Sequence, residues 1–452
     1  MKKLMFLLVI VLFSLQAFAQ SNYEGYYGYP TPGNGNFSGG LGMNWIDGKL
    51  NYTLHLTPEF AFSDFGVGLD LHFDFDQQGK LRKENFNEFS DYLSVIRYVR
   101  YGFKNDPVYL KLGALGYYSL GHGSIIENYN NSPSFDSRKI GLVADLDFGK
   151  FGFESIYSNF AQKGLIGIRA YLRPFQFTEQ ADIPIIGGLE VGATYATDFN
   201  NNAGIVTATY NSTNKNFISV RDEGAMSIIG LDISLPLLNT DLLGVKVYTD
   251  YTKILSFGSG IATGLRFDIN ALGTVRGFAK LERRFNRDQY IASYFNSLYE
   301  IERFSSDTTT GTFTSKASKL DAVINPGNGY YGELGLKVVS LFYVVGTYQR
   351  LDTDRNSGIL HIGAEINPDE GSFLARAGYD KVNIKGEGDL FKLDDRSYLF
   401  TEIGYKPTPY LVVSIVYSWT YTPVRDLNDN IIDFKPQKRI EPRVSIVFPM
   451  QF

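Results

Sequence analysis

No cysteine occurs anywhere in the 452 residues. Its absence excludes a disulfide framework, a thiolate metal centre and a lipid anchor attached through sulfur. No stretch approaches 18 consecutive apolar residues, so a membrane-spanning helix is excluded as well. Basic charge is in deficit: 43 Lys and Arg against 48 Asp and Glu leave a formal net charge of -5. Nucleic acid needs a basic footprint and is not an expected partner. The chain has no phosphate loop, no dinucleotide fingerprint and no fixed repeat of the kind that builds propellers or solenoids. No cofactor is expected.

Aromatic residues are abundant instead, with 31 Tyr and 35 Phe beside 46 Gly. Tyrosine favours membrane–water interfaces, where one end of the ring is apolar and the other wet. At the start, Lys2 and Lys3 precede an apolar run from Leu4 to Leu15, and Ala17-Phe18-Ala19 follows. This pattern predicts a secretory signal peptide over residues 1–19, cleaved before Gln20. Residues 20–38, rich in Tyr, Gly and Asn, predict an irregular arm. Residues 39–452 then form one domain.

That domain reads as strands. Leu69, Leu71, Phe73 and Phe75 alternate with Asp70, His72, Asp74 and Asp76. Before them, Tyr52, Leu54 and Leu56 alternate with Asn51, Thr53, His55, Thr57 and Glu59. Period two with one apolar and one polar face describes a sheet with lipid on one side and water on the other. Similar segments recur along the chain, about 20 in all within a range of 18–22. Connections near 64, 105, 150, 341, 368 and 408 are short. Those at 77–92, 120–137, 199–222, 386–394 and 422–438 are long and polar. Residues 286–328 break the rhythm: Ile291, Tyr294, Phe295 and Leu298 recur at helical spacing,. This segment is expected to be a long extracellular or lumen-inserted stretch carrying a short helix.

The end of the chain reads V-S-I-V-F-P-M-Q-F, with Val444, Ile446, Phe448, Met450 and Phe452 on one face. It resembles the terminal strand of single-chain bacterial outer-membrane barrels, which the barrel-assembly machinery reads as an insertion signal. The resemblance implies an all-β fold: a transmembrane, antiparallel, up-and-down β-barrel with short periplasmic turns and longer extracellular loops. It also implies lipid of the outer membrane of a Gram-negative-type bacterium as surroundings, and periplasmic chaperones as partners during biogenesis. By the same resemblance the barrel is porin-like, and the sequence before its first strand leaves no room for a TonB-type plug.

Candidate chemistry lies on the polar faces. If Ser63-Asp64 is a two-residue turn, His55 falls opposite His72, with Asp70 and Asp74 beside them. These four residues are candidate metal ligands, or else ordinary solvated lumen residues. Arg169, Arg173, Arg266, Arg276, Lys280, Glu282, His361, Glu365 and Arg376 are expected to line the lumen. There they tune selectivity, or set a transverse field against the Asp-rich strand. Gly121-His122-Gly123-Ser124 invites a hydrolase reading. Adjacent residues alone make no nucleophile–base pair, however, and a loop folded into the pore is the better expectation. The chain is not expected to be an enzyme. The leading function is a channel for passive or substrate-selective passage of small molecules. The alternatives are a barrel with a blocked lumen that docks surface or secretion partners, and a transporter of hydrophobic substrates. The functional partner is left open.

Overall fold

Two-residue turns set the register from the first hairpin onward. Asp47 and Gly48 take positive φ (49° and 81°) and join Asn34–Ile46 to Lys49–Phe62, with Ile46 opposite Lys49. Such turns match the right-handed twist of the strands they connect. Ser63-Asp64 makes the next, with Phe62 opposite Phe65. The computed structural model describes residues 34–451 except 105, 212–215, 272–273, 308–309, 339–340, 367–370 and 427–429. The leader, residues 20–33 and Phe452 lie outside the described residues.

The wall has 20 strands. After Lys49–Phe62 comes one strand in two pieces, Phe65–Leu69 and Leu71–Phe75. Then follow Ile96–Tyr101, Val108–Gly113, Gly141–Asp147, Phe151–Tyr157, Leu165–Leu172, Glu190–Asp198 and Met226–Asn239. Leu243–Ile254, Ser259–Ala271, Val275–Asn286, Asn328–Val338, Phe342–Leu351 and Gly358–Ile366 continue the wall. Phe373–Ile384, Ser397–Thr408, Leu411–Arg425 and Ile431–Gln451 complete it. Every strand pairs antiparallel with its neighbours in sequence, and the last pairs with the first, Val444 opposite Leu41. Closure removes both sheet edges. The first strand starts at Asn34, earlier than the expected Gly39. The long loop expected at 422–438 is mostly strand, because Leu411–Arg425 and Ile431–Gln451 run on together as far as Arg425 opposite Ile431.

Alternation survives as two different faces. On Met226–Asn239, Ile229, Leu231 and Ile233 are exposed, while Ile228, Asp232 and Ser234 are buried. The exposed face is apolar all round: Ile261, Leu281, Leu334, Val413, Ile403 and Val444 are further examples. Exposed aromatics mark its two rims. Phe62, Phe65, Phe151, Tyr405, Tyr410 and Phe448 lie at the end carrying the termini; Phe160, Phe199, Tyr251, Phe285 and Tyr330 lie at the other. An apolar band between aromatic girdles is the outer surface of a membrane barrel. The terminus end has short turns, apart from residues 173–189, which make three 3-10 turns. The opposite end carries the long loops. One of them bears a hairpin, Ile205–Asn211 with Asn216–Asp222.

Two of those long connections fold into the lumen. The first, residues 114–140, bonds to inward groups nearly all the way round the wall. Gly121 N donates to Glu154, Ser124 Oγ to Asp250, Tyr117 OH to Asp380, and Ser134 Oγ to the Tyr421 carbonyl. Only a segment inside the barrel can reach all four. The second, residues 287–327, lies against the first: Phe295 N donates to Ile125 O at 3.1 Å, and Glu127 N to Phe295 O at 3.0 Å. No part of residues 289–303 joins the wall.

The inserts have an apolar core of their own. Leu120, Ile126 and Tyr129 of the first and Tyr294, Phe295 and Tyr299 of the second pack together, each 3% exposed or less. They rest on Val143, Ile156, Leu165, Ala196, Ile228 and Ile254, which point inward near the loop end. Burial of each large side chain stabilises the inserts by roughly 1.5–3 kcal/mol. The helical spacing of Ile291, Tyr294, Phe295 and Leu298 reflects this packing rather than one helix. Ser293 takes φ 49°, and regular helix is limited to Tyr299–Glu302 and Lys316–Ala322.

Candidate functional site: the occupied lumen

Buried charge locks the two inserts together and to the wall. Arg303 Nε donates to Asp198 at 2.7 Å, and its two terminal nitrogens grip Glu300 at 2.7 Å each. Tyr299 OH also donates to Asp198, at 2.7 Å. Glu300 accepts in addition from Tyr129, at 2.5 Å, and pairs with Lys139. Glu302 is held by Lys316 and Lys319 at 2.7 and 2.8 Å. Burial pushes the Glu300 carboxyl up, but Arg303 and Lys139 outweigh it and bring it down to about 2. Glu302 is depressed in the same way by its two lysines, against burial.

The GHGS turn sits at the centre of the first insert. Gly121 and Gly123 adopt φ of 58° and 87°. The positive φ at Gly123 favours glycine, and a Cβ there would also displace the Glu127 carboxylate,. Lys280 Nζ donates to the His122 carbonyl at 2.5 Å, and the His122 ring stacks on Tyr248, centroids 4.1 Å apart. Burial, then the Arg169 charge, holds the His122 imidazole well below its ordinary pKa. Ser124 binds Asp250 rather than His122.

The expected pairing of His55 with His72 is present in the register, and the rings meet edge to face at 4.9 Å. Their Nε2 atoms engage different carboxylates. His55 Nε2 lies 2.9 Å from Asp70, and His72 Nε2 lies 3.1 Å from Asp74. Asp74 also accepts from Asn44, Thr53, Asn85 and Arg439. Its lone pairs are spent on protein donors. Among the described residues, the group of His and carboxylates whose ligand atoms lie within 4.8 Å of one another is His122, Asp232 and Asp250. Asp232 there is already engaged by Arg169 at 2.6 and 2.9 Å, so the setting is an ion-pair network. Sequence reasoning missed these aspartates, although Asp232 and Asp250 are register partners across the short 240–242 turn.

Most of the charged residues expected to line the lumen are neutralised sideways, by neighbours in the wall. Arg169 bonds to Glu190 and Glu154 on the two adjacent strands and to Asp232 one strand further on, and Arg173 to Asp147 and Glu190. Lys280 pairs with Glu282, His361 with Asp380, and Arg376 with Glu365 and Glu402. Arg266 pairs with Asp268, while Arg276 lies in register with Asn270 and Lys337. Opposite charges sit side by side within the wall, because a cross-strand neighbour is nearer than the far side of the lumen.

Cavities remain around the inserts, three of which bear on passage. One of about 360 Å³ reaches from Lys104, Lys246 and Asp268 at the terminus end up to Gly121 and His122. A second, about 680 Å³, runs up the other side from Lys406 and Pro409 to Phe135 and Arg138. The third, about 300 Å³, lies at the loop end between Lys316, Lys319 and the wall. In the terminal strand, Val444, Ile446 and Phe448 face outward with the apolar band. The Met450 side chain and Phe452 fall outside the described residues.

No family model matches the chain, and no curated protein matches it either. Solved structures similar to it include OccK11 (OpdR) of Pseudomonas aeruginosa, at 10% identity over 95% of this chain and 100% of that one, TM-score 0.31. Another is Wzi of Escherichia coli, an outer-membrane protein involved in group 1 capsule assembly, described as a carbohydrate-binding β-barrel. It is 10% identical over 92% of this chain and 85% of that one, TM-score 0.33. A third is the ferric-catecholate import receptor Fiu of E. coli, 10% identical over 93% of this chain and 82% of that one, TM-score 0.37.

Proposed function

We propose that this chain is a substrate-selective channel of the outer membrane, exported by its leader and narrowed by its own two inserts. The observation that carries this reading is the division of the lumen. Charge-lined cavities of about 360 and 680 Å³ open on the terminus side of the inserts, and one of about 300 Å³ lies on the loop side. Cavities of this size suit single small solutes. Mixed, paired charge suits polar ones, since each ion pair offers both donors and acceptors. A general pore has no use for an apolar core in its lumen.

A docking barrel is the second reading, favoured by the depth at which Tyr129, Phe295 and Tyr299 are buried. Single-channel recording of the refolded mature protein in a planar bilayer separates the two. Small, gated steps agree with a selective channel. Large ohmic steps would contradict the narrowing, and silence from a folded barrel would favour docking.

A further inference from the structure

The 680 Å³ cavity has two unlike walls. One is charged and self-neutralised: Arg97, Arg376, Arg439 and Arg443 each hold a carboxylate of the wall. The other is apolar and faces inward, formed by Leu374, Phe400, Val412 and Val416. Inward apolar residues elsewhere pack against the inserts, but Leu374 and Val412 belong to none of the apolar clusters that do so. They border the cavity, at 5% and 7% exposure.

Arg138 projects from the first insert at the upper end of this cavity, beside the exposed ring of Phe135. Its side chain makes no hydrogen bond or close ion pair with a described residue, and its buried Nε has no partner; Asp91 and Asp70 act on its charge only at longer range. A guanidinium left this way in a partly apolar enclosure is a demand for an anion, best met by a planar carboxylate. The segment that carries it is strapped in place. Thr420 donates to the Pro133 carbonyl at 2.8 Å, Arg82 grips Asp136 at 2.6 and 2.9 Å, and Gln437 adds a bond to Asp136 at 2.9 Å. The charge is thus held at a fixed place above the apolar wall.

We propose that this cavity binds a small carboxylate-headed amphiphile, its head on Arg138 and its apolar body on Leu374, Phe400, Val412 and Val416. The volume fits one such molecule. The site does not depend on passage, since a barrel that only docks partners can hold it equally well.

The test uses the full mature protein in amphipol and three water-soluble probes: hexanoate, hexan-1-ol and acetate. Binding is read by calorimetry and saturation-transfer NMR. Hexanoate is expected to bind at least tenfold more tightly than either acetate or hexan-1-ol. Arg138→Gln is expected to lose at least tenfold in hexanoate affinity, while Arg138→Lys keeps most of it. Leu374→Asn, on a different element, is expected to erase the preference over acetate, and it tests the same site should Arg138→Gln fail to fold. Equal binding of hexanoate and acetate overturns the proposal, as does unchanged affinity in Arg138→Gln. Binding that appears only after residues 20–33 are removed also overturns it, because the chain's own arm would then be the occupant. A barrel silent in the bilayer that still binds hexanoate in this pattern would sink the channel reading and leave this one standing.

Discussion

The Tyr129 hydroxyl of one lumen insert donates to the Glu300 carboxylate of the other across 2.5 Å. Glu300 is also the acid on which Arg303 and Lys139 converge. One carboxylate therefore neutralises two cations from two separate segments. Glu300→Gln leaves Lys139 buried without its counter-charge and Arg303 with Asp198 alone. Breaking a buried pair from one side costs about 3–5 kcal/mol. The inserts are expected to part while the wall stays closed. Limited proteolysis should then cut within residues 287–327 in the variant and spare the parent.

Acid should do the same to the unmodified protein. The Glu300 carboxyl titrates near 2 in the folded state, against an ordinary value of 4.5. A depressed acid contributes stability that is fully present above its unfolded pKa and is lost as pH falls through the folded one. Glu302 shifts in the same direction and adds to the effect. Insert protection from proteolysis or hydrogen exchange should hold down to about pH 4.5 and decline between there and pH 2. A flat profile over that range would show that these carboxylates do not secure the inserts.

Gly123 tests the turn. Alanine there adopts an unfavourable φ and collides with Glu127, which itself accepts from Tyr331 at 2.9 Å. Gly123→Ala is expected to cost at least about 1 kcal/mol and to disturb residues 121–127 without affecting barrel closure. Thermal unfolding followed by the shift of the folded band on a gel measures it. Unchanged stability would mean that the turn is free to rearrange.

The wall was legible because its rule is local. Leu69 to Phe75 alternates by itself, and Ser63-Asp64 alone places His55 against His72. The lumen was less so. Inward Ile156, Leu165 and Ile228 look, in sequence, like interruptions of a polar face; their reason is an insert far along the chain, whose Phe295 packs in the same core. The charges mislead for the same cause. Arg169 lies on one strand and Asp232 two strands on in the wall, and only the intervening order of turns and loops brings them within 2.6 Å.

That pair supplies a fourth prediction. Arg169→Gln removes the cation shared by Asp232, Glu190 and Glu154, of which Glu190 and Glu154 line the 360 Å³ cavity. The cavity gains net negative charge. In a salt gradient the reversal potential should shift towards cation selectivity, and the shift should shrink at high ionic strength as the charges are screened. An unaltered reversal potential would place the ion path away from this cavity.

The outward face can be tested by depth. Leu231 is 62% exposed near the middle of Met226–Asn239, whereas Asn239 closes the same strand at the terminus end. If the apolar band is the lipid contact, Leu231→Arg places a cation near the bilayer midplane and costs about 2–4 kcal/mol, while Asn239→Arg, at the interface, costs about 0–1. Refolding into lipid vesicles against a denaturant series measures both. Equal costs would mean that the band is not buried in the bilayer. A large cost confined to Leu231 fixes the membrane on the apolar band between the two aromatic rims.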